Sequence, residues 1–416
     1  MTLAEAPLLL MLVGLAAYAV LGGADFGAAF WQLGARGEQG ASLREHAYRA
    51  MGPVWEANHV WLVFVLVICW TAYPQWFASI FSTLTIPLFI AALGVILRGT
   101  AYAVHAGTAR EIERRAIDSV FSLSSILTPF ALGTAVGAIA SGRVPVGNAR
   151  GDLVTSWLNP TSIATGVLAV ATGAYIAAVY LAGDARRAGD DELTAAFRRR
   201  ALAAGLATGT VALCALAVVA ADAGRVGERL LEWPALAAVA ASAAAGLLTL
   251  EFVRRERFER ARYGASAAVA SVVLGWALAQ RPELLPGLTV EQAAAGRPTL
   301  IATVVGVAVG GLVLVPSLAI LFSLVLRGRF DKDVGSAKAA RRRHPTPQRR
   351  ISLLGLALVL GAVGLPLVLV FDGGALLAAG VVSLLAFVAV ASLVIVSALA
   401  PTGGTGNHPG NDASRT

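Results

Sequence analysis

Gly52-Pro53-Val54-Trp55-Glu56-Ala57-Asn58-His59-Val60-Trp61 leads into an almost wholly apolar run over residues 60–73, and a second apolar run follows over 77–97. The stretch puts a carboxylate, an amide and an imidazole at the mouth of a membrane-length helix. Ionisable groups at membrane depth are costly to hold, so a glutamate here points first to a proton or ion path. The bland alternative is electrostatic. Glu56 follows Pro53, which suits the first turn of a helix, and a carboxylate there favours the helix dipole.

Outward from this block the whole chain reads the same way. It is 57% hydrophobic and 14% charged, with mean hydropathy +0.72. Soluble domains carry about 25% charge. Eleven apolar spans are read at 7–33, 53–73, 77–104, 117–141, 160–182, 200–222, 234–253, 263–280, 300–326, 351–371 and 374–399. Lipid leaves no water to satisfy backbone groups, so spans of this length must be helices. The expectation is an all-α, polytopic membrane protein. Residues 7–33 are too long for a signal-peptide core and contain Asp25, so the first span is read as an uncleaved anchor. Cys69 and Cys214 both lie in apolar spans, which argues against a disulfide framework or a cysteine metal site. The net charge of +8 does not call for nucleic acid, because membrane proteins gather Lys and Arg in cytoplasmic loops.

Loop charge sets an orientation. Of 33 Lys and Arg residues, 26 fall in the loops after spans 1, 3, 5, 7 and 9, counting Arg98 and Arg327 at helix ends, and six in the loops after spans 4, 6 and 8. The odd loops are therefore expected to be cytoplasmic, with the N-terminus outside and the C-terminus inside. Residues 328–350 form a basic linker, with Arg341-Arg342-Arg343 and Arg349-Arg350 placed to meet anionic lipid headgroups. From Pro401 onward, Gly, Asn, Pro and Ser dominate, the composition of a disordered tail.

This orientation brings Asp25, Glu56 and Arg98, from three successive spans, to one depth near the cytoplasmic side. Asp25 is about 18 residues into its span, too deep for a capping role, and reads as paired or lining a wet path. Arg98 is its natural partner, with snorkelling to the headgroups as the alternative. Asn58 either extends a hydrogen-bond chain or ties helices together. His59, three residues after Glu56, shares its helix face and could exchange protons near neutral pH. With no second histidine at membrane depth, a bis-histidine haem within this chain is not expected. Trp31, Trp55, Trp61, Trp70 and Trp76 read mostly as interface anchors. Tyr18-Ala19-Val20 and Tyr175-Ile176-Ala177 form a faint internal echo, each followed by an acid, Asp25 and Asp184. No phosphate loop, zinc spacing or nucleophile triad is present, and Gly23-Ala24-Asp25-Phe26-Gly27 lies within an apolar helix.

The motifs together resemble subunit II of the cytochrome bd quinol oxidases. Tyr18 through Gly27 is similar to the family's aromatic-A-V-x-D-G-F-D-L-G. Gly52 to Trp61 follows its G-P-x-W-[DE]-x-N-x-x-W pattern, and Leu97-Arg98-Gly99 accompanies them. Phe121, Ser124, Pro129, Gly133, Gly137, Gly142-Arg143-Val144-Pro145, Leu158-Asn159-Pro160, the stretch from Leu288-Thr289 to Pro298-Thr299-Leu300, and Leu314-Val315-Pro316 continue the likeness in order. Departures are Gly22 for the first acid of the span-1 motif, Glu56 for the usual Asp, and His59 where Glu or Gln is commoner.

The resemblance implies about nine transmembrane helices, as two four-helix bundles plus one, over residues 1–330. Residues 331–350 would be a cytoplasmic linker, 351–400 an extra two-helix hairpin and 401–416 the tail. It implies a bacterial plasma-membrane subunit of a quinol:oxygen oxidoreductase that binds no haem or metal itself. It would brace subunit I, which holds two b-type haems and one d-type haem, with quinol as substrate. A small accessory subunit and membrane lipids are further partners on this reading. Glu56 and Asp25 would carry the cytoplasmic proton path, supported by Arg98, Asn58 and His59. Two other readings stay open: a secondary transporter binding an ion or substrate at Asp25, Glu56 and Arg98, and an orphan structural subunit.

Overall fold

The computed structural model describes residues 2–33, 37–105, 111–326, 347–371 and 373–399. A 3₁₀ turn at Leu3–Glu5 leads into α1 (Ala6–Leu33), α2 (Gly37–Ala72), α3 (Pro74–Thr83), α4 (Thr85–His105) and α5 (Glu111–Ala140). After an irregular crossing come α6 (Pro160–Ala188), α7 (Asp191–Asp222), the short α8 (Gly224–Leu230), α9 (Ala235–Arg254) and α10 (Phe258–Gln280). A two-stranded hairpin of β1 (Glu283–Leu285) and β2 (Leu288–Thr289), with the one-turn α11 (Val290–Ala293), precedes α12 (Arg297–Leu326), α13 (Pro347–Val370) and α14 (Gly374–Leu399). The chain divides into two compact units at 303/304, inside α12.

Each of the eleven predicted spans finds a helix, and among the described residues nine of these helices are long and apolar enough to cross a bilayer. The other two differ from the sequence reading. α2 begins at Gly37, sixteen residues before the predicted start. Its early turns carry Arg44 and Glu45, which mask the apolar pair Leu43 and Ala47, buried to 3% and 0% against α6 and α7. The third span is broken. α3 turns 118° away from the outer part of α2, and the chain restarts as α4 after the buried Leu84. Hydropathy is continuous across Leu84, while the α2–α3 turn falls at the gap between the second and third runs. Pro74 at the first position of α3 is the local signal of that turn.

Local chemistry sets the helix ends. Asn159 accepts from Ser162 N at 3.0 Å to start α6, and Gly189 at φ +75° ends it. One residue on, Asp190 accepts from Leu193 N at 2.9 Å to start α7. Short caps of this kind force antiparallel neighbours.

Within residues 2–303, α6 is the hub, packing on α1, α5, α7 and α10. Glycine makes this possible: a Cβ on Gly27 would sit 1.9 Å from the Gly173 carbonyl oxygen, and one on Gly137 would sit 2.5 Å from Ser162 Cα. In lipid such close approach replaces the hydrophobic drive. α1, α2, α4 and α5 form one four-helix group, and α6, α7, α9 and α10 form the other.

The connections gather at two ends. At one, Tyr73 Oη donates to the Ala4 carbonyl at 2.6 Å, and Ala295 N to the Ala72 carbonyl at 2.8 Å. There too Gly147 N and Ala149 N donate to Ser79 and Ser82 Oγ, both at 2.9 Å, and Arg281 pairs with Glu5. At the other, Trp31 Nε1 donates to the Ala174 carbonyl at 2.8 Å, His46 Nε2 lies 3.3 Å from the Leu181 carbonyl, and Arg262 meets Asp184 at 2.7 Å. Trp31 thus ties two helices and Trp76 is 5% exposed, so neither is a simple interface anchor; Trp70, 66% exposed, has an anchor's exposure.

In residues 304–399, α13 and α14 pack as a hairpin through Gly361 against Phe387, Gly364 against Leu384 and Gly380 against Leu367. Gly311 of α12 meets Val388 of α14. The basic residues of 328–346 and the tail from Pro401 lie outside the described residues.

Candidate functional site

The span-1 motif divides its work between two faces. Gly23 and Gly27 approach α6. Gly22 and Asp25 face α2 and α4, as their contacts show. Asp25 is 1% exposed and Arg98 2%. Arg98 Nη2 donates to Asp25 Oδ1 and, at 3.1 Å, to the Asp25 carbonyl. Its Nη1 donates to Ser125 Oγ of α5, which itself donates to the Phe121 carbonyl at 2.5 Å. Arg98 Cζ lies 4.3 Å from the ring centre of Phe121 and 5.0 Å from that of Phe26. A buried charge needs partners such as these, because leaving either ion alone in a low dielectric is expensive. The guanidinium is therefore a fixed joint between α1, α4 and α5, and snorkelling is not its role.

The joint leaves one side open. Among the described residues, Asp25 Oδ2 has no hydrogen-bond partner, and neither does Arg98 Nε. Asn58, 0% exposed, faces the same region from α2: a Cβ on Gly22 would lie 3.0 Å from its Oδ1 and 3.1 Å from its Nδ2. Among the described residues, neither polar atom of that amide makes a hydrogen bond of ordinary length, and nor does the buried hydroxyl of Tyr18. His59 follows on α2, half-buried.

Glu56 sits elsewhere on its helix than the sequence suggested. The backbone is helical from Gly37 through residue 56, so Glu56 lies well inside α2 and not in a first turn. The dipole explanation therefore loses its basis. The side chain of Glu56 lies outside the described residues.

The structure brings Asp25, Arg98 and Asn58 together. It adds Tyr18, Phe26, Phe121 and Ser125, which the sequence reading did not place at a site. The i, i+4, i+7 spacing of Tyr18, Gly22 and Asp25 was the available signal. Among the described residues no three His, Cys, Asp or Glu side chains gather as a metal site.

A second polar joint uses Arg143, which the sequence offered only as a likeness, with Asp222 and Thr161. Arg143 donates to both oxygens of Asp222, each at 2.8 Å. Asp222 Oδ2 also accepts from Thr161 N at 3.2 Å and Thr161 Oγ1 at 2.7 Å. The Asp222 carboxylate hydrogen bond holds the Arg143 guanidinium above its ordinary pKa. Gly142, at φ +71°, turns the chain into position.

Comparison with known proteins supports the same assignment. The family model for cytochrome bd terminal oxidase subunit II matches residues 3–325. The chain belongs to that family. It is 32% identical over 83 residues to the cytochrome bd ubiquinol oxidase subunit 2 of Bacillus subtilis, covering 20% of this chain and 25% of the relative. It is 23% identical over 199 residues to a putative cytochrome bd menaquinol oxidase subunit II of the same organism, covering 47% and 57%. The chain thus spans about a quarter and rather more than half of these relatives. A chain in the structure of bd oxidase from Geobacillus thermodenitrificans matches with TM-score 0.66 at 25% identity, covering 79% of this chain and 99% of that one. The polytopic all-α membrane fold and the membrane location of this subunit II follow.

Proposed function

We propose that this chain is the non-haem membrane subunit of a quinol-oxidising, oxygen-reducing complex. In it the chain braces the haem-bearing subunit I and carries part of the proton path from the cytoplasm. The observation behind this reading is the buried polar site between α1, α2 and α4, whose ion pair leaves Asp25 Oδ2 available. Haems supply the oxygen chemistry and belong, on this reading, to subunit I. This chain's residues move and hold protons. Glu56 takes a proton from the cytoplasmic side. Asn58, on the face of α2 toward α1, orients hydrogen bonds beside Asp25. Asp25, fixed through Oδ1 by Arg98, offers Oδ2 as the next stop. The orientation drawn from loop charge, N-terminus outside and C-terminus inside, places this route on the proton-supplying side. Residues 1–330 form the oxidase subunit proper on this reading, with 351–400 added to it.

A transporter would call for broken helices in both halves. Among the described residues the 118° break between α2 and α3 lies in the first half, while α6, α7, α9 and α10 run unbroken. That asymmetry favours the oxidase reading.

Glu56→Gln tests it. Quinol-driven oxygen uptake by the assembled complex should fall by about a hundredfold, with haem content unchanged, because an amide keeps the shape but carries no proton. Glu56→Asp should retain much of the rate. Native turnover in Glu56→Gln overturns the assignment.

A further inference from the structure

We propose that Tyr18, Gly22, Asn58 and the open side of Asp25 form a water-holding pocket, and that Tyr18 is a positioning residue of the proton path. The proposal rests on the relay reading above and extends it beyond the carboxylates. Tyr18, Gly22 and Asp25 lie at i, i+4 and i+7 on α1, a single face about 10 Å long. Tyr18 is 9% exposed, Asp25 1% and Asn58 0%. Among the described residues, the Tyr18 hydroxyl, both polar atoms of the Asn58 amide, Asp25 Oδ2 and Arg98 Nε make no hydrogen bond of ordinary length to protein.

Buried polar groups are rarely left unpaired, and several on one face need a common partner. They comprise donors and acceptors, so no single ion satisfies them. Water satisfies both kinds and typically makes about three hydrogen bonds in such a site. Gly22 lets the Asn58 amide approach the α1 backbone at this level. Any side chain there would press on the Asn58 amide at 3.0 Å.

The second four-helix group offers an internal control. The hydroxyl of Tyr175 is also buried and unpaired. Its i+4 and i+7 neighbours on α6 are Val179 and Ala182, both fully buried and apolar. A lone hydroxyl there has no carboxylate to serve.

The test compares single-atom deletions in the assembled complex. Tyr18→Phe should lower quinol-driven oxygen uptake about fivefold, the rate equivalent of one ordinary hydrogen bond. It should also raise the solvent deuterium isotope effect on turnover, with haem content and thermal midpoint unchanged. Gly22→Ala, which crowds the Asn58 amide, should move the isotope effect in the same direction. Tyr175→Phe should leave both rate and isotope effect at the native value. A native rate and native isotope effect in Tyr18→Phe overturn the pocket. If Glu56→Gln is slow in the same preparation, the relay stands and only the pocket falls. If Glu56→Gln is also native, both fall. A Tyr175→Phe effect equal to that of Tyr18→Phe likewise overturns the pocket, since the apolar control should be silent.

Discussion

The two four-helix groups are built alike and charged differently. In α1, α2, α4 and α5 an ion pair lies in the interior, with Asp25 and Arg98 almost fully buried. In α6, α7, α9 and α10 the ion pairs sit at the ends. Asp184 meets Arg262 and Arg187 at one end, with side chains 22%, 18% and 47% exposed, and Asp222 meets Arg143 at the other. The interior of the second group is mostly Ala, Val, Ile, Leu and Phe, with Tyr175 and Thr249 among its buried polar members. Charge at helix ends fastens loops and costs little. Charge in the interior must be held by a complete set of partners, and a bundle that needed only stability would omit it. On the proposed reading the first group carries the proton path and the second is its scaffold.

Breaking the interior pair should give the largest effect. Arg98→Leu leaves Asp25 uncompensated and should cost about 3–5 kcal/mol, seen as loss of folded subunit or a collapsed thermal midpoint in detergent. Asp25→Asn combined with Arg98→Leu should recover much of that loss, because no lone charge remains. Arg262→Leu, at the end of the second group, should cost about 1–2 kcal/mol. Arg262 has the Tyr180 carbonyl at 2.8 Å as a further partner, but Asp184 keeps Arg187. Equal damage from Arg98→Leu and Arg262→Leu would erase the distinction between the groups.

The same contrast explains what was legible in the sequence. Long apolar runs announce helices in either group, and loop arginines announce their alternation, so the span order could be read directly. Asp25 and Arg98 stood out because charge is rare at membrane depth. Tyr18, Ser125 and Phe121 did not, since tyrosine, serine and phenylalanine are ordinary in such helices and only their packing gives them a role. The early start of α2 was hidden by Arg44 and Glu45 beside the buried Leu43 and Ala47. The turn between α2 and α3 falls at the gap read between the second and third runs, but the break at the fully buried Leu84 was hidden within the third apolar run. Hydropathy measures what a segment avoids. It does not report the direction in which the segment runs.

Removing the hairpin should matter less than breaking the interior pair. The family match ends at residue 325, and α13 and α14 enter and leave on the same side. Deletion from about residue 335 preserves the orientation of every earlier helix. It gives up the contact of Gly311 with Val388. The shortened subunit should fold and co-purify with subunit I at normal yield. Normal expression without co-purification would instead make the hairpin part of the binding surface for that partner.

The smallest effect should come from the loop side of the second group. Glu283, in β1, pairs with Arg225 of α8 and accepts from Gly287 N at 2.9 Å. The Arg225 hydrogen bond, followed by that of Gly287, holds its carboxyl below the ordinary value of 4.5. A lowered folded-state pKa means that the contribution to stability is present above the unfolded value and is lost as pH falls through the folded one. The pair is partly solvated, so it contributes less than about 1 kcal/mol. Between pH 7 and pH 5 the hairpin should therefore be unchanged. Below about pH 4.5 the hydrogen-exchange protection of the Gly287 amide should decline in the native protein. Glu283→Gln should lower that protection at pH 7 and flatten its pH dependence, with oxygen uptake left at the native rate. Protection that survives acid unchanged would mean that the turn, and not its ion pair, holds the hairpin.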